Sequence, residues 1–482
     1  MDAIASGSLY TSDVNYPPAP ILFLFRRDLR LSDNTAWHHA LLAAQKYSTP
    51  LIPIYLLSNW KKHHPWTGPH RQAFLCEALA SLDTSLRKLN SRLIFRQIRE
   101  NPITTLLAFA KETGAKNIYL NRLYDPYSQS IETRLKKEAS SLGMAVFTFK
   151  DRVLHEAAEV LTGTNTPYRK FTPYARTWLQ IPIDSPLKNP NHPITTPLKI
   201  KSLPIPNLAY WGLRPLPLGT LRANETSAQK RLKNFLQKHL ENYENLRDRP
   251  AANANSRLSQ DLNFGLLSPR QIYSALQKLP PTYAEKFLNE LTWREFYIQL
   301  LHHFPEILKK EFITKYRRIK WRTKTNAAED FQCWADGRTG FPIVDAGMRQ
   351  LRETGHMHNR VRMITAMFLT KDLQIDWRCG EQFFMQHLID GDIAANNGGW
   401  QWSASTGADA APYFRIQNPW TQSKRHDPQA SYIKQWLPEL QKLPASLLQK
   451  PPIDGKPLAS DYPAPIVDHA EARQKTLELF SV

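Results

Sequence analysis

"SRLIFRQIRENPITTLLAFAKETGAKNIYLNRLY", residues 91–124, reads as strand, helix, strand. Its outer parts, "SRLIFRQI" (91–98) and "KNIYLNRLY" (116–124), are short apolar runs with branched and aromatic residues, the mark of buried strands. The middle, "PITTLLAFAKET" (102–113), repeats apolar residues at helical spacing. Outward from this unit the alternation continues. "PILFLF" (20–25), "TPLIPIYLL" (49–57) and "MAVFTFK" (144–150) are further buried strands, and "RQAFLCEALASLDTSLRKL" (71–89) is a helix. Strand and helix in repetition give a doubly wound, parallel-sheet α/β domain over residues 20–150. No G-x-G-x-x-G follows the first strand, so the dinucleotide fingerprint is absent and this fold alone names no function.

Residues 151–222 lose periodicity and are dense in proline, as in "PNHPITTPLKIKSLPIPN" (190–207), which predicts an interdomain connector on the surface. From 223 to 475 the pattern is all-α. "SAQKRLKNFLQKHLENYENLRD" (227–248), "SPRQIYSALQKL" (268–279), "YAEKFLNELTWREFYIQLLHHF" (283–304), "VDAGMRQLRETG" (344–355) and "NRVRMITAMFLTKDLQ" (359–374) each carry apolar residues three and four apart. Ser268 and Pro269 suit a cap and a first helical position.

Lys and Arg number 63 against 43 Asp and Glu, a formal net charge of +20. That field favours a polyanion, nucleic acid first, although a basic enzyme without a nucleic-acid role also fits the charge. No apolar run is long enough to span a membrane, and residues 1–19 carry acids and read as a flexible tail rather than a signal peptide. Three scattered cysteines exclude a disulfide scaffold and suit a reducing compartment, so the cytoplasm is expected.

Polar and aromatic residues crowd in "DGDIAANNGGWQWSASTGADAAPYFRIQNP" (390–419). It offers Asp390 and Asp392, Asn396, Trp400 and Trp402, but no nucleophile–base pair and no Cys/His metal spacing. The carboxylates suit a metal, or the N–H and hydroxyl donors of a bound ring and ribose. Trp377 and Trp321 add to an unusual number of indoles, a route for single electrons in cofactor-run redox or light chemistry. In "NELTWREFY" (289–297), Glu290, Trp293, Arg294 and Tyr297 share a helix face. The plainer account there is an exposed Glu290–Arg294 ion pair beside a core tryptophan. Asn359 and Met363 likewise share a face with Arg362 beside them, as a ring pocket or as ordinary packing. Ser256 or Ser259 in "NSRLSQDL" (255–262) caps a helix, whose start also suits a phosphate.

Together these segments resemble the DNA photolyase/cryptochrome family from about residue 20 to 475. The likeness begins at "FRRDLRLSDN" (25–34) and runs through "LNFGLLSPRQ" (262–271), "NELTWREFY", "TGFPIVDAGMRQL" (339–351), "MHNRVRMI" (357–364), the 388–419 stretch and "YIKQWLPEL" (432–440) to "DYPAPIVDH" (461–469). It implies an α/β antenna-type domain before a helical FAD-binding domain. It also implies light-driven splitting of cyclobutane pyrimidine dimers in DNA by an electron from reduced FAD, nearest to the class I dimer-repair branch. By this resemblance Asp390, Gly391, Asp392 and Asn396 hold the flavin, with Asn396 facing its reactive nitrogen. Tyr243, Asn255, Ser256, Arg257, Leu258 and Ser259 match its phosphate and ribose region, and Phe287, Arg294, Asn359 and Arg362 further contacts. Trp400 matches the indole nearest the flavin, fed from Trp377 and then Trp321. Glu290 matches the carboxyl group on the dimer bases, with Trp293, Asn359, Met363 and Trp402 around them and Arg360 on a phosphate. A flipped dimer meeting a buried flavin fits the cost of base extrusion, for which photolyases are themselves a standing example.

This chain departs from the family at His356 and Phe287, each a frequent Trp, and at Asn255, a frequent Thr; each keeps a ring or a polar group, and altered FAD affinity is the most that is expected. Tyr127-Ser128 stand where folate-binding members carry Asn-Glu. A second, antenna chromophore is therefore expected to be a deazaflavin or flavin rather than methenyltetrahydrofolate, with no second chromophore as the alternative. A monomer is expected, with no resident metal. The competing readings are a photosensory cryptochrome and a basic metal nuclease using Asp390 and Asp392.

Overall fold

The computed structural model describes residues 19–190, 196, 199–408 and 414–481. Apart from Ala19, the expected tail lies outside them. Strands β1 (Ile21–Phe25), β2 (Leu51–Leu57), β3 (Ile94–Gln97), β4 (Asn117–Asn121) and β5 (Ala145–Phe149) pair in parallel, in the order β3-β2-β1-β4-β5. The chain winds outward from β1 to β3, then crosses back to β4 on the other side of β1, as a doubly wound sheet does. Central β1 is buried throughout. Ile21, Phe23 and Phe25 pack with Trp37 on one face, and Leu22 and Leu24 with Ile52 and Ile103 on the other. That two-residue alternation explains why the run reads as continuously apolar. β5 differs from the expected buried strand. It is an edge paired only to β4, so Ala145 and Phe147 are exposed, and Phe147 gains cover by stacking on Tyr119 at 4.8 Å.

The helical half follows the predicted segments, except that 227–248 breaks after Lys238 and resumes only as the short helix Tyr243–Leu246. Ser268 caps Pro269–Leu276 in a capping box, its Oγ accepting from the Gln271 backbone N–H at 2.9 Å while Gln271 Oε1 accepts from the Ser268 N–H at 3.0 Å. Ser256 and Ser259 do not cap. The helix Ser259–Phe264 starts after Leu258 with no side-chain cap, because Arg257 turns through the left-handed region (φ 50°) just before it. The connector 151–222 also holds more structure than expected. Its helix Phe171–Gln180 buries Tyr174 and Trp178 against Pro281–His303, with the dense prolines lying downstream.

The segment "FRRDLRLSDN" joins the two halves. Arg30, 1% exposed, reaches Asp151 at 2.7 Å and the Gly265 carbonyl at 3.1 Å. Arg270 from the helical half reaches Asp33 at 3.0 Å and Asp151 at 3.1 Å. Four charges are thus buried only as a network, so deleting one member strands the others. Gly265 (φ +68°) is required there, since a Cβ would lie 2.2 Å from the Arg27 carbonyl oxygen.

Candidate functional site

Residues 388–392 lead into the helix Ile393–Ser403, and Asp392 caps it, accepting from the Ala394 and Ala395 N–H groups at 3.1 and 3.0 Å. Its Oδ2 lies 2.5 Å from Arg152 and 3.8 Å from Arg27, both from the N-terminal third of the chain. Burial alone would raise this carboxyl. The guanidinia of Arg152, Arg27 and Arg294 outweigh burial and hold it below the usual carboxylate range. Asp390 pairs with Arg362 at 2.9 Å. Burial again opposes ionisation, and Arg362, helped by the Ser259 hydroxyl, carries the balance below the ordinary value. His356 is pushed down to about 3 by burial and by Arg362, and is therefore neutral. Gly391 admits the approach of Arg71, whose Nη2 would lie 1.8 Å from a Cβ there. Arg71 donates to the Leu388 carbonyl at 2.9 Å and the Met385 carbonyl at 2.5 Å, stapling this loop to the helix Pro69–Arg87. Each aspartate thus faces guanidinia. Among the described residues no group of three or more His, Cys, Asp or Glu is placed to hold a metal ion.

The helix Pro281–His303 packs against Ile393–Ser403. The Glu290–Arg294 pair of the plainer reading is not formed. Glu290 pairs with Arg247 at 2.7 Å, and Arg294 donates through Nη1 to the Arg152 carbonyl at 2.9 Å. Arg294 Nη2 is buried without a hydrogen-bond partner among the described residues. Arg247 also lies over the Tyr243 ring at 5.4 Å, and its neighbour Asp248 pairs with Arg360 at 2.5 Å. Residues 247 and 248 therefore draw Glu290 and Arg360, from two different helices, to one place. Phe287 is buried against Phe235 and Tyr243, at 4.6 and 5.6 Å between ring centroids. Trp293 stacks face to face on Phe171 of the connector helix at 3.6 Å, and Trp402 lies under the Arg415 guanidinium at 5.1 Å. Met363 is half-buried and Asn359 exposed on the helix Asn359–Met367. Asn255 and Ser256 are half-buried, Leu258 buried, and Ser259 and Arg257 exposed, the last bonded to Asn253 at 2.8 Å.

The indoles lie deeper. Trp400 is 2% exposed, meets Phe384 edge-on at 4.9 Å, and has its Nε1 buried without a hydrogen-bond partner among the described residues. Its ring lies over Gly380, where a Cβ would be 2.1 Å from Cη2. Gly380 is one turn from fully buried Trp377 on the helix Trp377–His387. The Nε1 groups of Trp377 and half-buried Trp321 both donate to Glu311 Oε1, each at 3.3 Å. A parallel bridge between Arg322 and Ile375 ties the two indole-bearing segments together. Asn396 donates to the Glu381 carbonyl at 3.0 Å and Asn397 to Glu381 Oε1 at 2.9 Å. Burial pushes the Glu381 carboxyl up to about 8.

A separate cavity of about 250 Å³ opens beyond the C-terminal ends of β1 and β4, where the strand order reverses. Arg26, Tyr55, Leu106, Tyr127 and Ser128 are among its walls. Such a crevice is the usual ligand position of an open α/β sheet.

Sequence reasoning missed Arg71, Arg152, Arg247, Glu311 and Glu381. Arg71 and Arg247 stand inside predicted helical runs and Arg152, Glu311 and Glu381 outside any quoted segment, but in no case does spacing along the chain point to the partner. Arg27 stands inside a quoted segment, but nothing in its spacing ties it to Asp392.

Residues 21–193 match the family model described as DNA photolyase, and residues 287–482 match the FAD binding domain of DNA photolyase. The deoxyribodipyrimidine photo-lyase of Salmonella typhimurium is 38% identical over 478 residues, which cover 95% of this chain and 98% of that one. A bacterial class III photolyase from Agrobacterium tumefaciens is 37% identical and superimposes with a TM-score of 0.87 over 99% of both chains. An archaeal photolyase from Sulfolobus tokodaii, solved with two FAD molecules, is 31% identical, with a TM-score of 0.82 over 96% of this chain and 99% of that one.

Proposed function

The chain belongs to the DNA photolyase family, and we propose that it splits cyclobutane pyrimidine dimers in DNA using light. The observation that carries this reading is the joining, through one helix, of the aspartate–arginine loop at 390–392 to buried Trp400. Bound FAD in its reduced form supplies, on absorbing light, the electron that opens the dimer.

The residues present fit that cofactor. Arg294 Nη2 is a buried donor awaiting an acceptor. Arg27, Arg152, Arg294 and Arg362 outnumber Asp390 and Asp392, so the site favours an electron-rich ring. The two aspartates stay ionised and accept from ring and hydroxyl donors. Tyr243, residues 255–259, Phe287, Asn359, Gly391 and Asn396 complete the binding set. Trp321, Trp377 and Trp400 serve as the route by which electrons restore an oxidised flavin. Glu290, Trp293, Asn359, Arg360, Met363 and Trp402 receive the flipped dimer, and the +20 charge favours the DNA backbone. The stack on Phe171 holds the Trp293 ring in one orientation, and base stacking of about 1–3 kcal/mol then offsets much of the extrusion cost.

The cavity at the sheet switch point suits a second chromophore. Its mostly apolar walls, with Arg26 and Arg27 among them, support a flavin or deazaflavin over a folate. The domain reading follows: an antenna-type domain to residue 150, a connector to 222 and the FAD-binding domain to 475. A cytoplasmic monomer of the class I branch completes the proposal; no helix among the described residues is long and apolar enough to cross a membrane.

The test mixes chemically reduced protein with UV-damaged oligothymidine and follows the base absorbance. Recovery in blue light and none in the dark is expected. No recovery with reduced flavin present overturns dimer repair and favours a sensory role.

A further inference from the structure

Glu311 lies in the turn after Pro305–Leu308 and is 5% exposed. Between residues 309 and 324 it is the only carboxylate, among eight lysines and arginines. Its Oε1 accepts from three groups: Trp321 Nε1 at 3.3 Å, Trp377 Nε1 at 3.3 Å and Arg378 Nη2 at 3.0 Å. Arg378 also lies over the Trp377 ring at 4.6 Å and pairs with Asp376 at 3.0 Å. Arg317 fixes the turn by donating to the Glu311 backbone carbonyl at 2.9 Å.

A resting indole has no tendency to give up its N–H proton. An indole that has lost an electron carries a positive charge, and its N–H becomes about as acidic as a carboxylic acid. On Trp377 that charge stands beneath the Arg378 guanidinium, and on Trp321 it stands in a strongly basic segment, so repulsion drives the electron back. Losing the N–H proton removes the repulsion. Fully buried Trp377 is away from water, and the two N–H groups share one carboxylate oxygen.

We propose that Glu311 is the proton acceptor of this indole pair and that it makes charge separation last. One electron leaves Trp321 and passes through Trp377 and Trp400 to a bound, light-excited, oxidised flavin. One proton moves from Trp321 Nε1 to Glu311 Oε1. When an electron returns to Trp321, the proton returns with it. This rests on the reading of the three tryptophans as an electron route.

Flash excitation of the flavin-loaded, oxidised protein, followed by transient absorption, separates the protonated from the deprotonated indole radical. Glu311→Gln keeps an acceptor oxygen but loses the base, so deprotonation slows by roughly 10²-fold and less reduced flavin accumulates. Arg378→Gln shifts the rate the other way, because the carboxylate loses a competing cation. If the radical loses its proton at the same rate in both Glu311→Gln and Arg378→Gln, Glu311 is not the acceptor, even where Trp321→Phe abolishes the radical. If Trp321→Phe photoreduces like the unmodified protein, the route itself fails and the role of Glu311 fails with it.

Discussion

Asp392 and Glu381 meet the same helix, Ile393–Ser403, and burial raises both carboxyls, yet they end on opposite sides of the ordinary value. Asp392 sits at the helix N-terminus, where the aligned N–H groups and three guanidinia keep it ionised. Glu381 meets the helix side through Asn397, with Arg378 as a weaker influence, and is pushed up to about 8. Desolvation acts on both; the company each keeps decides the outcome. One carboxylate is a fixed anion, built into the loop that holds the proposed cofactor residues. The other holds a proton at neutral pH, next to the backbone carbonyl that fixes Asn396.

Removing the company of Asp392 is the largest perturbation. Arg152→Met leaves a largely buried carboxylate short of its nearest partner, at a cost of about 3–5 kcal/mol. Thermal unfolding should show that loss, and the flavin bound per protein should fall with it. Unchanged flavin content would mean that the fixed anion does not organise the site.

Glu381→Gln makes the opposite test. Between the ordinary carboxylate value of 4.5 and about 8, the unfolded chain has released this proton and the folded chain still holds it. Stability therefore falls as pH rises through that window, by up to about 1.4 kcal/mol per pH unit. Denaturant titrations from acid to mildly alkaline pH should show this slope in the unmodified protein and a flatter one in Glu381→Gln. Equal slopes would place the Glu381 carboxyl among ordinary ones.

Gly380→Ala perturbs the seat of Trp400, one residue before Glu381. A methyl group 2.1 Å from Trp400 Cη2 must displace the ring, costing about 1–3 kcal/mol and slowing flavin photoreduction. Normal photoreduction would show that the exact seat of Trp400 is unimportant. Glu290→Ala should change stability least, below about 1 kcal/mol, because its pair with Arg247 is partly exposed. Its effect should appear as a lower repair yield per absorbed photon.

The sheet was legible because its central strands are continuous apolar runs and its helices are periodic. β5 misled because an edge strand keeps its apolar residues while losing its cover. The helix Phe171–Gln180 was hidden by the proline-dense chain after it, although Tyr174 and Trp178 are core residues. At the site, Asp390, Asp392 and Trp400 could be singled out because they cluster within eleven residues. Their partners could not. Arg71 and Arg152 act across more than 230 residues of chain, and an isolated charge in sequence does not reveal whether it ends in water or in a buried pair.

The buried network that joins the two halves also constrains the order of assembly. The sheet is complete once residue 149 has been made, yet Arg30, Asp33 and Asp151 wait for Arg270, and Arg71 for the carbonyls of Met385 and Leu388. A nascent chain on the ribosome therefore presents a finished sheet with an unfinished, charged seam. The Arg270 contacts can form once residue 270 has emerged, whereas Arg71 can staple the cofactor loop only after Leu388 has been made.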